Sequence, residues 1–376
     1  MTDTLLTRRV KFASTIEYDV INVIDVFDVE NMALLLPGKV KNGCRFVVVD
    51  KNVDLHYGDK MRSYFAHHGV KAKFVTFPGG EENKTIDCFF SIIRELDGFP
   101  IHRRDEPIIA IGGGVLTDVV AFVASTYRRG VPHIKIPTTL MGYVDASVGI
   151  KNGINFAGHK NRLGCFQAPQ KVLLDNSMLQ TLPRRHILNG VCEIVKLAVI
   201  ADAGLFALLE SYGRDSIELC FQSNEGRAIL DGAIAGMIRE LEPNLFEEDL
   251  ERKVDFGHTF SYGLEARHDS DLLHGEAVLL DVLLSVEIAR SRKMLSEPNT
   301  ERIFEVVRKL ALIADVSELE AHLLWSTLEE RVYHRNGLQR VPLPRAVGDC
   351  VFVNDITYVE IARAVEQLNG RMALRQ

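Results

Sequence analysis

The stretch Pro107–Asp118, PIIAIGGGVLTD, decides the fold. Its opening is apolar and isoleucine-rich, the composition of a strand buried on both faces. Three glycines end the run, and Val115–Ser125 reads as a helix. Strand, glycines and helix can cradle a diphosphate. Glycine lets the backbone approach closely, and a helix N-terminus offers free N–H groups and the positive end of a dipole. The run is not a GxGxxG fingerprint, so a tight strand-to-helix turn without a ligand explains it equally well.

The pattern repeats on both sides. Arg45–Asp50, Lys73–Phe77, His133–Thr138 and Val172–Asp175 read as further strands, with helical stretches from 51 to about 68 and over Thr85–Leu96. Strands alternating with helices imply crossover units and a largely parallel sheet. Asp50 ends one strand, where a carboxylate can take a ribose hydroxyl pair or simply cap the next helix. Beyond Leu182-Pro183 the pattern turns helical, over 184–212, 223–242, 274–294 and 299–312. The expected fold is α/β. A Rossmann-like parallel-sheet nucleotide domain (1–183) precedes an all-helical metal- and substrate-binding domain (184–376).

Length agrees, since 376 residues at about 150 per domain make two units likelier than one or four. The hydrophobic and charged fractions of 47% and 25% exclude a disordered chain or a disulfide mini-domain. The formal charge of −7 speaks against nucleic acid as partner, because that affinity comes from basic surface. It leaves room for a local basic pocket. Six widely spaced cysteines fit thiols in a reducing compartment. The N-terminus lacks a signal-peptide core, and no run of about 18 apolar residues occurs. The chain therefore reads as cytoplasmic, with no membrane partner.

Three groups of residues carry candidate chemistry. Glu193 sits mid-helix in GVCEIVK with Lys196 on its face, His258 lies in DFGHTF, and His274 opens a helix in LLHGEAV. Two imidazoles and a carboxylate suit zinc while leaving a position for substrate oxygen. The chain has 12 histidines, and most histidines are surface or satisfied core residues. Lys151, Lys160, Asn161 and Arg162 crowd a glycine-punctuated segment, alongside Arg128 and Arg129. Such a cluster is either a phosphate or polyol pocket or a solvated basic loop.

Taken together and in order, GGEENKT, GGGVLTDVVAF, YRRG, IPTTLMGYVDASVGIKNGINFAGHKNRLG, LLDNSMLQTLP, GVCEIVK, DFGHTF and LLHGEAV resemble the sugar phosphate cyclase superfamily, the dehydroquinate synthase-like enzymes. The resemblance implies a bound NAD, a divalent metal (zinc, or cobalt), a sugar phosphate substrate and a homodimer. Carried over by position, Asp50, Glu81, Lys84, Gly113, Gly114, Val115, Asp118, Thr138, Thr139, Lys160, Thr181 and Leu182 would contact NAD. Glu193, His258 and His274 would hold the metal. Asp145, Lys151, Asn161 and Lys196 would hold the substrate, Asp255 would fix hydroxyls or relay protons, and Arg129 would reach the phosphate across a dimer. The reaction implied is transient oxidation, phosphate elimination, re-reduction and intramolecular aldol closure.

Departures from the family narrow the substrate. Dehydroquinate synthases carry a lysine 21 positions before the first metal histidine and an arginine seven before it, and both resemble grips for the substrate carboxylate. Here those positions are Met237 and Glu251, so a substrate bearing that carboxylate is not expected. Asp255 and Tyr262 replace an asparagine and a histidine. GIKNGINFAGHKNRLG, ELEPNLFEE and HRNGLQRVPLP look most like cyclases acting on sedoheptulose 7-phosphate. Among those, the 2-epi-5-epi-valiolone synthases come before the desmethyl-4-deoxygadusol and 2-epi-valiolone synthases. A 2-deoxy-scyllo-inosose synthase, a 3-dehydroquinate synthase and an NAD- and metal-dependent polyol dehydrogenase are the further alternatives.

Overall fold

The computed structural model describes residues 8–35, 43–267, 271–312 and 315–373. The first seven residues, on which the reading of the N-terminus partly rests, lie outside that set. A six-stranded sheet is built from β1 (Asp19–Asn22), β2 (Cys44–Asp50), β3 (Lys71–Phe77), β4 (Ile108–Gly112), β5 (His133–Pro137) and, after a hairpin formed by β6 (Lys151–Phe156) and β7 (His159–Phe166), β8 (Lys171–Leu174). Its order is β1-β8-β5-β4-β2-β3, with every pairing parallel.

Alternation along β2 explains the layers. Val47 and Val49 face a core shared with Met61 and Tyr64 of α1 (Lys51–His67). Phe46 and Val48 face the opposite core, with α2 (Ile86–Asp97) and α3 (Gly114–Thr126). Successive side chains of a strand point to opposite faces, so helices cover both sides. The chain leaves β2 toward β3 and then returns to place β4 on the other side of β2. The C-terminal ends of β2 and β4 therefore form a topological switch point, the place where open α/β sheets bind ligands. Asp50 and Gly112–Gly114 stand there.

The second half contains α4 (Arg184–Ala201), α5 (Ala203–Glu218), α6 (Asn224–Leu241), α7 (Ser261–Glu265), α8 (His274–Ser291), α9 (Glu297–Lys309), α10 (Ala321–His334) and α11 (Tyr358–Ala373). One antiparallel hairpin, β9 (Val341–Ala346) with β10 (Asp349–Val353), joins them. In α8 every residue from Ala277 to Ala289 is buried, which makes it the axis of this half. The stretch read as one helix over 184–212 breaks at Asp202, whose extended backbone (φ −147°, ψ 95°) ends α4 while its side chain caps Leu205 N–H of α5.

The β6–β7 hairpin occupies the segment whose polarity suggested a loop or pocket. Its glycines are steric necessities. A Cβ on Gly164 would come 2.1 Å from Asn152 O, and one on Gly153 would come 2.6 Å from Leu163 O.

Candidate active site

Helix α4 delivers Glu193 and Lys196 one turn apart on one face, and their ion pair is 2.5 Å long with both side chains buried. His274 is the first residue of α8. His258 sits in the loop before α7, next to Gly257, whose φ of +75° and contact with Val278 favour glycine. Asp281 of α8 anchors that loop by accepting from Phe260 N–H at 2.5 Å and Ser261 N–H at 3.0 Å.

The three expected ligands converge, with one atom from each of Glu193, His258 and His274 within 4.8 Å of the others. The Nε2 atoms of His258 and His274 are 3.3 Å apart and lie 3.9 and 3.4 Å from Glu193 Oε1. The outer nitrogens are engaged elsewhere, His274 Nδ1 with Glu265 Oε1 at 3.1 Å and His258 Nδ1 with Phe256 O at 3.3 Å. Acceptors on both Nδ1 atoms fix the tautomers that turn Nε2 lone pairs inward. Glu193 Oε1 is buried with no hydrogen-bond donor. Once His274 gives up its second proton, two Nε2 lone pairs and the Glu193 carboxylate oxygen point at one another, a donor set that fits zinc.

The electrostatics are sharply divided. Burial pushes His258 down to about 3, with Lys196 adding to the effect. Burial opposes charge on His274 as well, but Glu265 and Glu193 raise it well above the usual imidazole value. Glu193 is held well below the carboxylate range against its burial, by Lys196 and both histidines. Asp145, in a π-helical turn over Gly142–Ala146, is raised by burial and by Glu193.

On the nucleotide side, α3 starts at Gly114 after Gly113 with no side-chain cap, so its first N–H groups are free. A Cβ on Gly112 would meet Leu116 at 2.9 Å and Asp50 Cβ at 3.2 Å, and one on Gly113 would meet Thr139 at 3.0 Å. Thr138 N–H bonds Gly112 O, and Thr139 Oγ1 accepts from Gly142 N–H. Asp50 caps α1 through Oδ1 at 2.8 Å. Lys84 bonds Asp118 at 2.7 Å and Asn161 at 2.6 Å. Glu81 takes Asn155 at 2.8 Å, Thr181 lies 3.2 Å from Tyr57 Oη, and Val115 and Leu182 pack against the cores. This small-residue cradle at an uncapped helix start fits a dinucleotide.

Other expected residues stand differently. Lys160 ion-pairs with Glu265 at 2.9 Å, on the metal side rather than at the switch point. Lys151 is exposed and meets Glu247 at 3.0 Å. Arg129 is exposed on a left-handed turn (φ 65°). Asp255, expected to fix hydroxyls or relay protons, lies among three arginines. Its buried carboxylate is bound by Arg252 at 2.5 Å and by Arg335, with Arg331 at 3.6 Å. Those arginines hold it below its ordinary value despite burial. A carboxylate bound in this way orients the arginine cations around it. Met237 lies in the apolar core, and Glu251 is exposed, 3.8 Å from Arg340. Glu247, Arg252, Glu265, Arg331 and Arg335 went unread, although Glu265 closes the run that begins with His258.

This fold and this site define a class. Residues 74–189 match the family described as 3-dehydroquinate synthase N-terminal, and residues 190–331 match 3-dehydroquinate synthase C-terminal. The chain belongs to this family, among the sugar phosphate cyclases. It is 48% identical to a 2-epi-5-epi-valiolone synthase of Streptomyces albus, over 88% of this chain and 81% of that protein. A demethyl-4-deoxygadusol synthase of Trichormus variabilis is 38% identical over 93% of this chain and 87% of its own length. The solved 2-epi-5-epi-valiolone synthase of Streptomyces hygroscopicus subsp. jinggangensis 5008, with NAD+ and Zn2+ bound, superposes with a TM-score of 0.92. Its identity is 40%, covering 97% of this chain and 100% of that one.

Proposed function

We propose that the chain converts sedoheptulose 7-phosphate to 2-epi-5-epi-valiolone with release of phosphate. The observation that carries this reading is the convergence of Glu193, His258 and His274 on one point, in a chain similar to synthases of that name. The lack of cations at positions 237 and 251 favours a substrate without a carboxylate.

When bound, NAD would take up and return a hydride, and zinc would polarise the oxygen being oxidised. Glu193, His258 and His274 would hold the metal. The glycines after β4, Asp50, Lys84 and Asp118 would hold the dinucleotide at the switch point. Asp145 lies near Glu193 and Lys196, and burial together with Glu193 raises its carboxyl above the ordinary value, which suits a group that accepts and returns a proton. Lys196 keeps the buried Glu193 ionised. Lys151 and Asn161 project from the hairpin, where an ammonium and an amide suit the phosphate. Arg252, Arg331 and Arg335, oriented by Asp255, present further cations to it. Holding the polyol in one geometry lets successive steps share one site.

We place the nucleotide half at 1–183 and the metal half at 184–376. We further assign a homodimer, in which Arg129 serves the partner's site, and a cytoplasmic setting. Among the described residues no helix is long and apolar enough to cross a membrane. The test is incubation of the holoenzyme with sedoheptulose 7-phosphate, glucose 6-phosphate and the dehydroquinate precursor. Phosphate release is expected from the first alone, and NMR of the ring product separates 2-epi-5-epi-valiolone from the other cyclitols.

A further inference from the structure

The β6–β7 hairpin belongs in sequence to the nucleotide half, yet it reaches the helical half at both ends. At its base Lys151 pairs with Phe166 across the strands. Lys151 ion-pairs with Glu247 at 3.0 Å, and the Phe166 ring lies 5.5 Å from that of Phe246. Near its tip, just after the turn at Ala157-Gly158, Lys160 reaches Glu265, 105 residues away in sequence. The hairpin is a separate two-stranded sheet. Ile154 is its buried anchor against the core beside α3, and β7 is largely exposed. Two strands alone are marginally stable in water, so the hairpin's position depends on such contacts.

Glu265 has one oxygen on each side of this junction. Oε1 meets His274 Nδ1 at 3.1 Å, and Oε2 meets Lys160 Nζ at 2.9 Å, with the side chain only 5% exposed. A carboxylate pinned at one oxygen by a lysine holds the plane in which the other receives the imidazole N–H. That bond sets which nitrogen of His274 faces Glu193 and His258.

We infer that Lys160 and Glu265 are positioning residues that couple docking of the β6–β7 hairpin to metal binding. The hairpin carrying Lys151 and Asn161 is thereby seated when the metal site is formed, and the metal is held more tightly when the hairpin is seated. This rests on the metal-site reading above, and zinc binding by the unaltered protein tests that reading separately.

The experiment measures zinc affinity by competition with a chromophoric chelator, and hydrogen exchange over 151–166 with and without zinc. The proteins compared are the unaltered chain, Lys160→Met, Lys160→Arg and Glu265→Gln. Loss of a partner behind a metal-bound histidine weakens binding by roughly 10–100-fold, and Glu265→Gln should fall in that range. Lys160→Met, at a partly exposed position, should weaken zinc by about 3–10-fold, at the lower edge of such effects, with Lys160→Arg restoring it. Zinc should slow hairpin exchange in the unaltered protein and in Lys160→Arg, but not in Lys160→Met. Unchanged zinc affinity in Lys160→Met, or hairpin exchange indifferent to zinc in the unaltered protein, overturns the coupling.

Discussion

Lys196 Nζ stands 2.5 Å from Glu193 Oε2, one turn along α4, with both side chains buried. The pair divides the work of one carboxylate. Oε2 is neutralised by the lysine, leaving Oε1 to face the two histidines. Glu193→Gln removes the anion and leaves the buried Lys196 without its ion-pair partner. Zinc affinity should fall on the order of 100-fold or more, beyond the range of an outer partner. Equilibrium dialysis against zinc measures this, and stoichiometric retention would remove Glu193 from the ligand set.

Asp255 binds Arg252 and Arg335, with Arg331 close by, in a buried cluster. Removing one member of such a cluster leaves uncompensated charge, which costs about 3–5 kcal/mol. Asp255→Ala should show a loss of that size in urea unfolding. An unaltered midpoint would mean that water reaches and satisfies the arginines.

Lys135, on β5, is fully buried, and its Nζ donates to Gly149 O at 3.1 Å, two residues before Lys151. Burial pulls its pKa from 10.5 down to about 8, partly offset by Asp118. The folded state therefore resists protonation of this lysine more than the unfolded chain does. Stability falls as pH drops from about 10.5 to about 8, and the full penalty, about 3 kcal/mol, persists below that window. Lys135→Met lacks the penalty. Its stability relative to the unaltered chain should be most favourable near pH 7.5 and decline toward pH 10, read by urea unfolding at both. A difference independent of pH would show that Lys135 is solvated.

Met237 is buried in the apolar core, whereas Glu251 is exposed. Restoring the cations by Met237→Lys with Glu251→Arg should not create turnover of the dehydroquinate precursor. The new lysine would be buried without a partner, at a cost of roughly 3–5 kcal/mol. Phosphate release from that precursor by the double variant would show that position 237 faces the substrate rather than the core.

The strands around PIIAIGGG were legible because parallel strands read as continuous apolar runs bounded by turns. The β6–β7 hairpin was not, because its pairing depends on Gly153 and Gly164 and β7 is largely exposed. Asp202 broke a helix whose apolar periodicity ran on through it, since capping is a property of one side chain. The metal trio was legible through family motifs. Its supporting charges were not, because Asp255 and Arg335 lie 80 residues apart and Lys160 and Glu265 lie 105 apart. Only the fold brings them together.

The most direct measurement mixes the NAD-loaded, zinc-loaded enzyme with sedoheptulose 7-phosphate and follows nicotinamide absorbance and phosphate together. The account predicts a transient rise in reduced nicotinamide that returns to baseline as phosphate appears, one per sugar consumed, with 2-epi-5-epi-valiolone as the ring product. Reduced nicotinamide that accumulates without phosphate release would contradict it and mark the chain as a dehydrogenase.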